Sequence, residues 1–269
     1  MDDKTARERA ELSGKLTNVL DARTLAGSHR RLAEIVRPGM TVLDVGCGTG
    51  SITRGIAEAT GPSGSVLGVD SNAKLIEKAR RAHGGTPGLA FEEGDAYELA
   101  YEERFDIVTS ARLLVWLSDP LRALKRMTAA AKRGGRVVIA DYNHVKIKWG
   151  TKPPASMLAF YDAYLQWRSD AGLDNAIADR LPALFERAGL ARVAVTPQHE
   201  ETRRGDPDFA VRIAIWADTA SSRGPQMAKD GYVTEREYKT AEDEYREWIR
   251  SDADSLTMYM LAVEGVKER

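Results

Sequence analysis

Val42-Leu43-Asp44-Val45-Gly46-Cys47-Gly48-Thr49-Gly50 decides the fold. A short, apolar, β-branched run (41–45) enters a glycine-rich turn, and the turn opens a helix over 52–59. Glycines here permit a tight turn with positive φ and let the backbone approach a ligand closely. The spacing separates two cofactor classes. A dinucleotide fingerprint reads G-x-G-x-x-G, with its pyrophosphate on the helix N-terminus. This chain reads G-x-G-x-G, and Ser51 stands where the fingerprint's third glycine would be. Asp44 points the same way: a carboxylate repels a diphosphate and attracts an ammonium group. The loop therefore favours a cofactor that carries an amino acid moiety.

Outward from the loop, strands and helices alternate. Upstream, residues 4–20 and 28–36 have helical spacing, and Pro38-Gly39 stops the second helix. Downstream come a turn at 61–64, a strand at 65–70, a helix over 73–83, and strands at 89–95 and 105–110. A helix over 120–133 is closed by Gly134-Gly135, and a strand follows at 136–141. The rhythm resumes with a helix near 176–188 and a strand near 190–196, and 255–266 reads as a last strand. Such alternation argues for a parallel sheet with helices on both faces, an α/β fold. Two stretches fall outside the repeat, 142–180 and 205–254, and they hold twelve of the nineteen aromatic residues. They are expected to build apolar, helical caps; 234–250 reads as a charged helix with Tyr238, Tyr245 and Trp248 on one face, and 224–232 as a mobile loop.

Composition excludes several classes. With 269 residues, 43% apolar and 29% charged, the chain suits one domain with insertions rather than a disordered protein. Its net charge of −1 lacks the basic excess of a nucleic-acid coat, so no nucleic-acid partner is expected. One cysteine and four scattered histidines give neither a disulfide nor a metal cage, so no metal is expected. The N-terminus has no apolar signal region and no run spans a membrane, which leads to a cytoplasmic expectation. Oligomeric state is not legible.

Two further acids stand at the ends of successive strands. Asp70 closes the second strand, where a carboxylate accepts from both ribose hydroxyls. Asp95, followed by Ala96, comes after the third, where a carboxylate accepts from an adenine amino group and the next N–H faces a ring nitrogen. Singly, such residues often cap helices or turns. Together they mark the carboxyl edge, where open α/β sheets bind ligands.

VLDVGCGTG (42–50), GVD (68–70), GDA (94–96), and FDIVTSARLLVWLSDP (105–120) followed by GGRVVIAD (134–141) resemble the class I S-adenosylmethionine-dependent methyltransferases. The resemblance covers roughly 28–200 and the last strand, and its flavour is the small-molecule branch of quinone-biosynthesis and natural-product enzymes. It implies a Rossmann-like, seven-stranded, mostly parallel sheet with an antiparallel last strand, helices on both faces and helical cap insertions. One domain would span 1–269, with an N-terminal helical lid over 1–36. S-adenosylmethionine would be the cofactor and S-adenosylhomocysteine the product. By the same resemblance Gly46, Gly48 and Gly50 contact the methionine part and Asp44 lies near its amino group. Asp70, with the adjoining Ser71, takes the ribose, and Asp95 with Ala96 takes the adenine. Ser110 and Ala111, with Arg112, lie near the sulfonium. Cys47 is a small filler.

The resemblance also bounds the reaction. An activated methyl needs an acceptor held in line and water kept out. A base is required only if the acceptor must lose a proton. His144, after the fifth strand, and His29, on the N-terminal helix, are the candidates, since a free imidazole titrates near about 6.5. Arg112, Tyr142, Asn143, Tyr161 and Trp216 are candidate acceptor contacts. After the fourth strand the chain reads Thr109-Ser110-Ala111-Arg112, without the Asn-Pro-Pro-Tyr-type motif of many amino-methylating enzymes. The expectation is methyl transfer to a small, partly apolar acceptor, most readily O-methylation. C- or N-methylation of a small molecule, and methylation of tRNA or protein, are the alternatives.

Overall fold

The apolar runs on either side of the glycine turn become strands. The structure, a computed structural model, describes residues 3–10 and 20–268. Among the described residues the strands are, in chain order, β1 (Thr41–Val45), β2 (Ser65–Asp70), β3 (Leu89–Glu93), β4 (Phe105–Ala111), β5 (Ala131–Tyr142), β6 (Lys148–Trp149), β7 (Leu190–Pro197), β8 (Glu200–Arg203), β9 (Ser255–Met258) and β10 (Met260–Lys267). The chain divides into two compact units.

The first unit comprises Asn18–Tyr142, Ile177–Gln198 and Met260–Arg269. Its seven strands lie in the order β3-β2-β1-β4-β5-β10-β7. The pairs β1–β2, β2–β3, β1–β4 and β4–β5 are parallel, and β10 is antiparallel to both neighbours. This is the expected sheet with its reversed last strand. Successive residues of a strand face opposite sides, and the cores follow that rule. Val42, Ile107 and Val138 pack with Leu25, Leu32 and Ile56 on one face. Leu43, Val108 and Ile139 pack with Leu124, Leu181 and Phe185 on the other. Helices therefore cover both faces of the sheet.

Four local expectations change. The helix expected over 120–133 ends at Ala130, because Ala131 pairs with Phe105 and begins a twelve-residue strand. Ladder pairing outweighs the helix propensity of Ala131. The helix expected over 28–36 is two short helices, Leu25–Ser28 and Arg30–Ile35, broken at His29. The strand expected over 255–266 breaks at Tyr259: β9 pairs with β6 and β8, while β10 pairs with β5 and β7. The expected mobile loop 224–232 lies largely within the helix Ile215–Lys229. Gly224 explains that helix, since a Cβ there would stand 2.4 Å from the Tyr238 ring. The glycine lets two helices approach closely.

The second unit comprises Met1–Thr17, Asn143–Ala176 and His199–Tyr259. It holds a small sheet, β6-β9-β8, and the helices Ala155–Asp170, Ile215–Lys229 and Glu235–Ser251. Its interior is made of rings: Phe160, Tyr161, Tyr164, Trp167, Trp216 and Tyr245 are all buried. Tyr238, Tyr245 and Trp248 do share a buried face, and Thr234 with Glu237 forms a capping box at that helix's start. The N-terminal stretch 1–36 divides between the units. Helix Asp3–Ala10 belongs to the second unit, where Arg9 packs over the Trp167 and Tyr232 rings. Residues 25–35 belong to the first, and the 11–19 part of the expected lid lies outside the described residues.

Candidate active site

The glycine turn takes the shape its residues allow. Gly46, Gly48 and Gly50 have φ of 75°, 55° and 79°, a backbone that side chains rarely adopt. The packing is as strict as the dihedrals. A Cβ on Gly50 would stand 2.6 Å from Phe91, and one on Gly46 would stand 3.1 Å from Leu113. Gly46 N and Cys47 N both donate to the Val69 carbonyl, which ties the turn to the end of β2.

Two carboxylates organise this edge. Asp70 Oδ2 accepts from Gly48 N at 2.9 Å, and Oδ1 accepts from Asn72 N at 2.9 Å. An ionised carboxylate offers about four acceptor positions, so both oxygens retain capacity for ribose hydroxyls. Burial raises the Asp70 carboxyl above its ordinary range, against the pull of those two N–H donors. Asp44 is buried at 4% exposure and accepts from the Thr53 hydroxyl at 2.7 Å. Burial lifts its carboxyl to about 7, the Thr53 hydroxyl opposes that rise, and the charge of Asp70 adds to it. Two acids held this way favour a cationic ligand, and an amino acid ammonium fits that donor set. Burial likewise pushes the Cys47 thiol well up, consistent with a filler role.

The remaining cofactor candidates stand nearby in the same unit. Ser71 is exposed between Asp70 and Asn72, whose side chain caps the next helix. Asp95 Oδ1 accepts from Tyr97 N at 2.8 Å, which turns the chain and leaves Ala96 buried after β3. Ser110 is wholly buried, and its hydroxyl has no hydrogen-bond partner among the described residues. Ala111 ends β4, and Arg112 follows with a positive φ of 62°. Arg112 Nε donates to the Tyr142 hydroxyl at 2.7 Å.

Both histidines differ from a solvent-facing base. His29 is 0% exposed, with Nε2 3.0 Å from the Thr109 hydroxyl. That hydroxyl gives its proton to the Val138 carbonyl, so Nε2 is the donor. Burial, aided by the charge of Arg112, lowers this imidazole to about 3. His144, in the second unit, is 6% exposed, with its ring edge-on to Tyr164 and Trp216. Burial first, then the charge of Arg168, holds it well below the usual imidazole range. Neither is a basic imidazole at neutral pH. Asn143, a candidate acceptor contact, instead caps the 144–146 turn through Val145 N. Tyr161 and Trp216 are interior residues of the second unit: their rings meet at 4.5 Å, and the Tyr161 hydroxyl donates to the His144 carbonyl.

Sequence reasoning missed Thr53, although a hydroxyl on the first turn after the glycine loop was a visible signal. It also missed the Arg112–Tyr142 pair, which no spacing announces. Among the described residues no group of acids, histidines and cysteine is placed to hold a metal, and no helix is long and apolar enough to cross a membrane.

Comparison with known proteins agrees with this geometry. A family model described as a methyltransferase domain matches residues 37–175, just over half of the chain. The chain is 29% identical over 213 residues to a 37.1 kDa protein in transposon Tn4556 of Streptomyces fradiae, covering 72% of this chain and 60% of that one. It is 31% identical over 174 residues to the demethylmenaquinone methyltransferase of Lysinibacillus sphaericus, covering 59% and 73%. Its fold is similar to that of Haemonchus contortus phosphoethanolamine N-methyltransferase 2, solved with S-adenosylhomocysteine. There the TM-score is 0.55 at 18% identity, covering 90% of this chain and 53% of that one. The family match over more than half of the chain settles what the glycine loop and strand-end acids indicate: the chain belongs to the class I S-adenosylmethionine-dependent methyltransferases, and S-adenosylmethionine is its cofactor.

Proposed function

We propose that this protein methylates a small, partly apolar organic acceptor, on oxygen. The observation that carries the reading is the similarity, 31% identity over 174 residues, to a relative named for demethylmenaquinone, a small organic quinone. Sites for small organic molecules are lined mainly by apolar and aromatic groups with few polar ones.

The bound cofactor supplies a methyl group already activated on sulfur. The chain's own part is to hold and orient. Asp44 takes the ammonium, Asp70 and Asp95 take ribose and adenine, and the glycine turn admits the backbone closely. Orientation of this kind carries much of the rate in a displacement. His29 and His144 are both buried and neutral, so neither serves as a basic imidazole at neutral pH.

The test is transfer of label from methyl-labelled S-adenosylmethionine into a fractionated lysate of the organism that makes the protein, with Asp70→Ala as control. Losing the two charge-assisted bonds of Asp70 is expected to reduce transfer about 100-fold or more. Label in the organic-extractable small molecules, absent with the variant, supports the reading. Label in RNA or protein overturns it.

A further inference from the structure

A cleft opens in the sheet unit at the far end from the cofactor acids. Three neighbouring strands, β5, β10 and β7, contribute to it. Gly134, Arg136, Arg192, Glu264, Gly265 and Val266 line it. Arg136 pairs with Ile107 near the start of β4, and Arg192 lies near the start of β7. Residues 264–266 lie toward the end of the antiparallel β10. The cleft therefore sits at the amino ends of the parallel strands, whereas Asp44 and Asp70 stand at the carboxyl ends of β1 and β2. Its volume is about 270 Å³, a little below the roughly 300–1,000 Å³ of sites for drug-sized molecules. A ligand that fits it is small.

The backbone is distorted where one arginine meets this cleft. Glu264 pairs with Ala194 and Val266 with Ala191, so β7 carries one more residue than β10 between the two pairs. Such a bulge re-aims a side chain, most often at a sheet edge, and β7 is the edge strand. Arg192 lies in the bulge with a φ of 52°, a conformation that favours glycine. Strain of this kind persists where the surroundings impose it, and it clusters at ligand sites. The Arg192 guanidinium has no hydrogen bond or ion pair among the described residues.

Charge and donor geometry define the ligand. Arg31, on the helix Arg30–Ile35, grips Glu264 through Nε at 3.0 Å and Nη2 at 2.9 Å. Arg136 adds one bond, Nη1 to Oε1 at 3.2 Å. With Glu34, which pairs with Arg31, three arginines face two carboxylates. The cleft thus keeps a positive excess, and it attracts an anion. Arg136 is 44% exposed and retains donors beyond that one bond. One guanidinium fork satisfies a carboxylate. Two forks on separate strands suit a tetrahedral dianion with three terminal oxygens. Glu264 accepts three hydrogen bonds, and a carboxylate offers about four positions. One position is left for a hydroxyl on the ligand.

We propose that this cleft binds a small phosphate monoester that carries a hydroxyl group. Arg136 and Arg192 take the phosphate, and Glu264 accepts from the hydroxyl. The ligand takes no part in methyl transfer and does not depend on which acceptor is methylated. It stabilises the folded sheet unit by mass action.

Calorimetry on the full protein tests this with glycerol phosphate, inorganic phosphate and acetate as probes. The titrations are run at constant ionic strength and at pH 8, where both phosphates are mainly dianions. Glycerol phosphate is expected to bind one per chain, about tenfold more tightly than inorganic phosphate, with acetate weaker still. Arg192→Gly relaxes the strained backbone and removes the cation. That variant is expected to unfold near the wild-type temperature and to bind S-adenosylhomocysteine normally. Its affinity for glycerol phosphate should fall about tenfold or more, and Arg136→Gln should weaken binding to a similar degree. Glycerol phosphate should raise the unfolding temperature of the wild type and not that of Arg192→Gly. The proposal is overturned by no saturable binding, by equal affinity for all three probes or for the two phosphates, or by undiminished binding in Arg192→Gly. Displacement of glycerol phosphate by saturating S-adenosylhomocysteine also overturns it, since that result places the anion at the cofactor edge.

Discussion

In the sheet unit, several buried polar groups gather at one edge. Asp44, Thr49, Ser110, Arg112 and Asp141 are all buried, and each lies at or just beyond the carboxyl end of a strand. In the helical unit the interior is mainly aromatic, with Trp167 and Tyr245 at 0% exposure and Trp216 at 2%, beside the buried polar Arg168, Arg223 and Asn175. Burying polar groups is costly and tolerated where partners or a ligand answer them. Burying rings is favourable anywhere. We propose the first arrangement as the ligand site and the second as a framework whose shape comes mainly from packing.

Trp216→Ala probes the framework most severely. Removing a ring that meets Tyr161, Tyr164 and His144 leaves a large cavity. It is expected to cost about 3–5 kcal/mol in urea unfolding. The folded fraction should still bind S-adenosylhomocysteine with wild-type affinity, and a matching loss of affinity would break the contrast. Gly50→Ala probes the edge. Its Cβ would lie 2.6 Å from Phe91 on a φ of 79°. The expected cost is about 2–4 kcal/mol, from strain and overpacking together. Calorimetry should show affinity falling along with stability.

The two units also differed in how far they could be read from sequence. The glycine loop was legible because its turn needs positive φ at Gly46, Gly48 and Gly50, and Asp70 and Asp95 because they stand at or just past the ends of successive strands. The parallel sheet followed from the alternation of strands and helices, and its reversed last strand from the family resemblance. The split at Tyr259 was not legible, because one apolar alternation runs through β9 and β10 and only pairing partners separate them. The helix through 224–229 was hidden because Gly-Pro reads as a turn, whereas Gly224 serves close contact with Tyr238. Tyr161 and Trp216 looked like pocket residues because sequence cannot tell a ring that lines a cavity from one that fills a core.

A smaller effect sharpens the reading of His29. Its folded value is depressed to about 3, below an unfolded value near 6.5. The unfolded chain therefore binds the extra proton between those values. This contribution to stability is fully present above pH 6.5 and is lost as pH falls toward 3. A single group contributes at most about 1.4 kcal/mol per pH unit. His29→Gln removes the titrating ring and should flatten the dependence of unfolding free energy on pH in that window. An unchanged slope would assign the acid sensitivity to other groups.

The central claim is that Asp44 at the sheet edge holds the cofactor's ammonium, and proton counting tests it most directly. Asp44, raised to about 7, is partly protonated at neutral pH in the unliganded protein. An ammonium beside it favours the ionised form. Calorimetric titration of S-adenosylhomocysteine at pH 7, repeated in buffers of different ionisation enthalpy, should therefore show net proton release. Affinity should rise from pH 6 to pH 8, and Asp44→Asn should abolish both effects. Binding with no proton release, or with the same release in Asp44→Asn, would contradict the account.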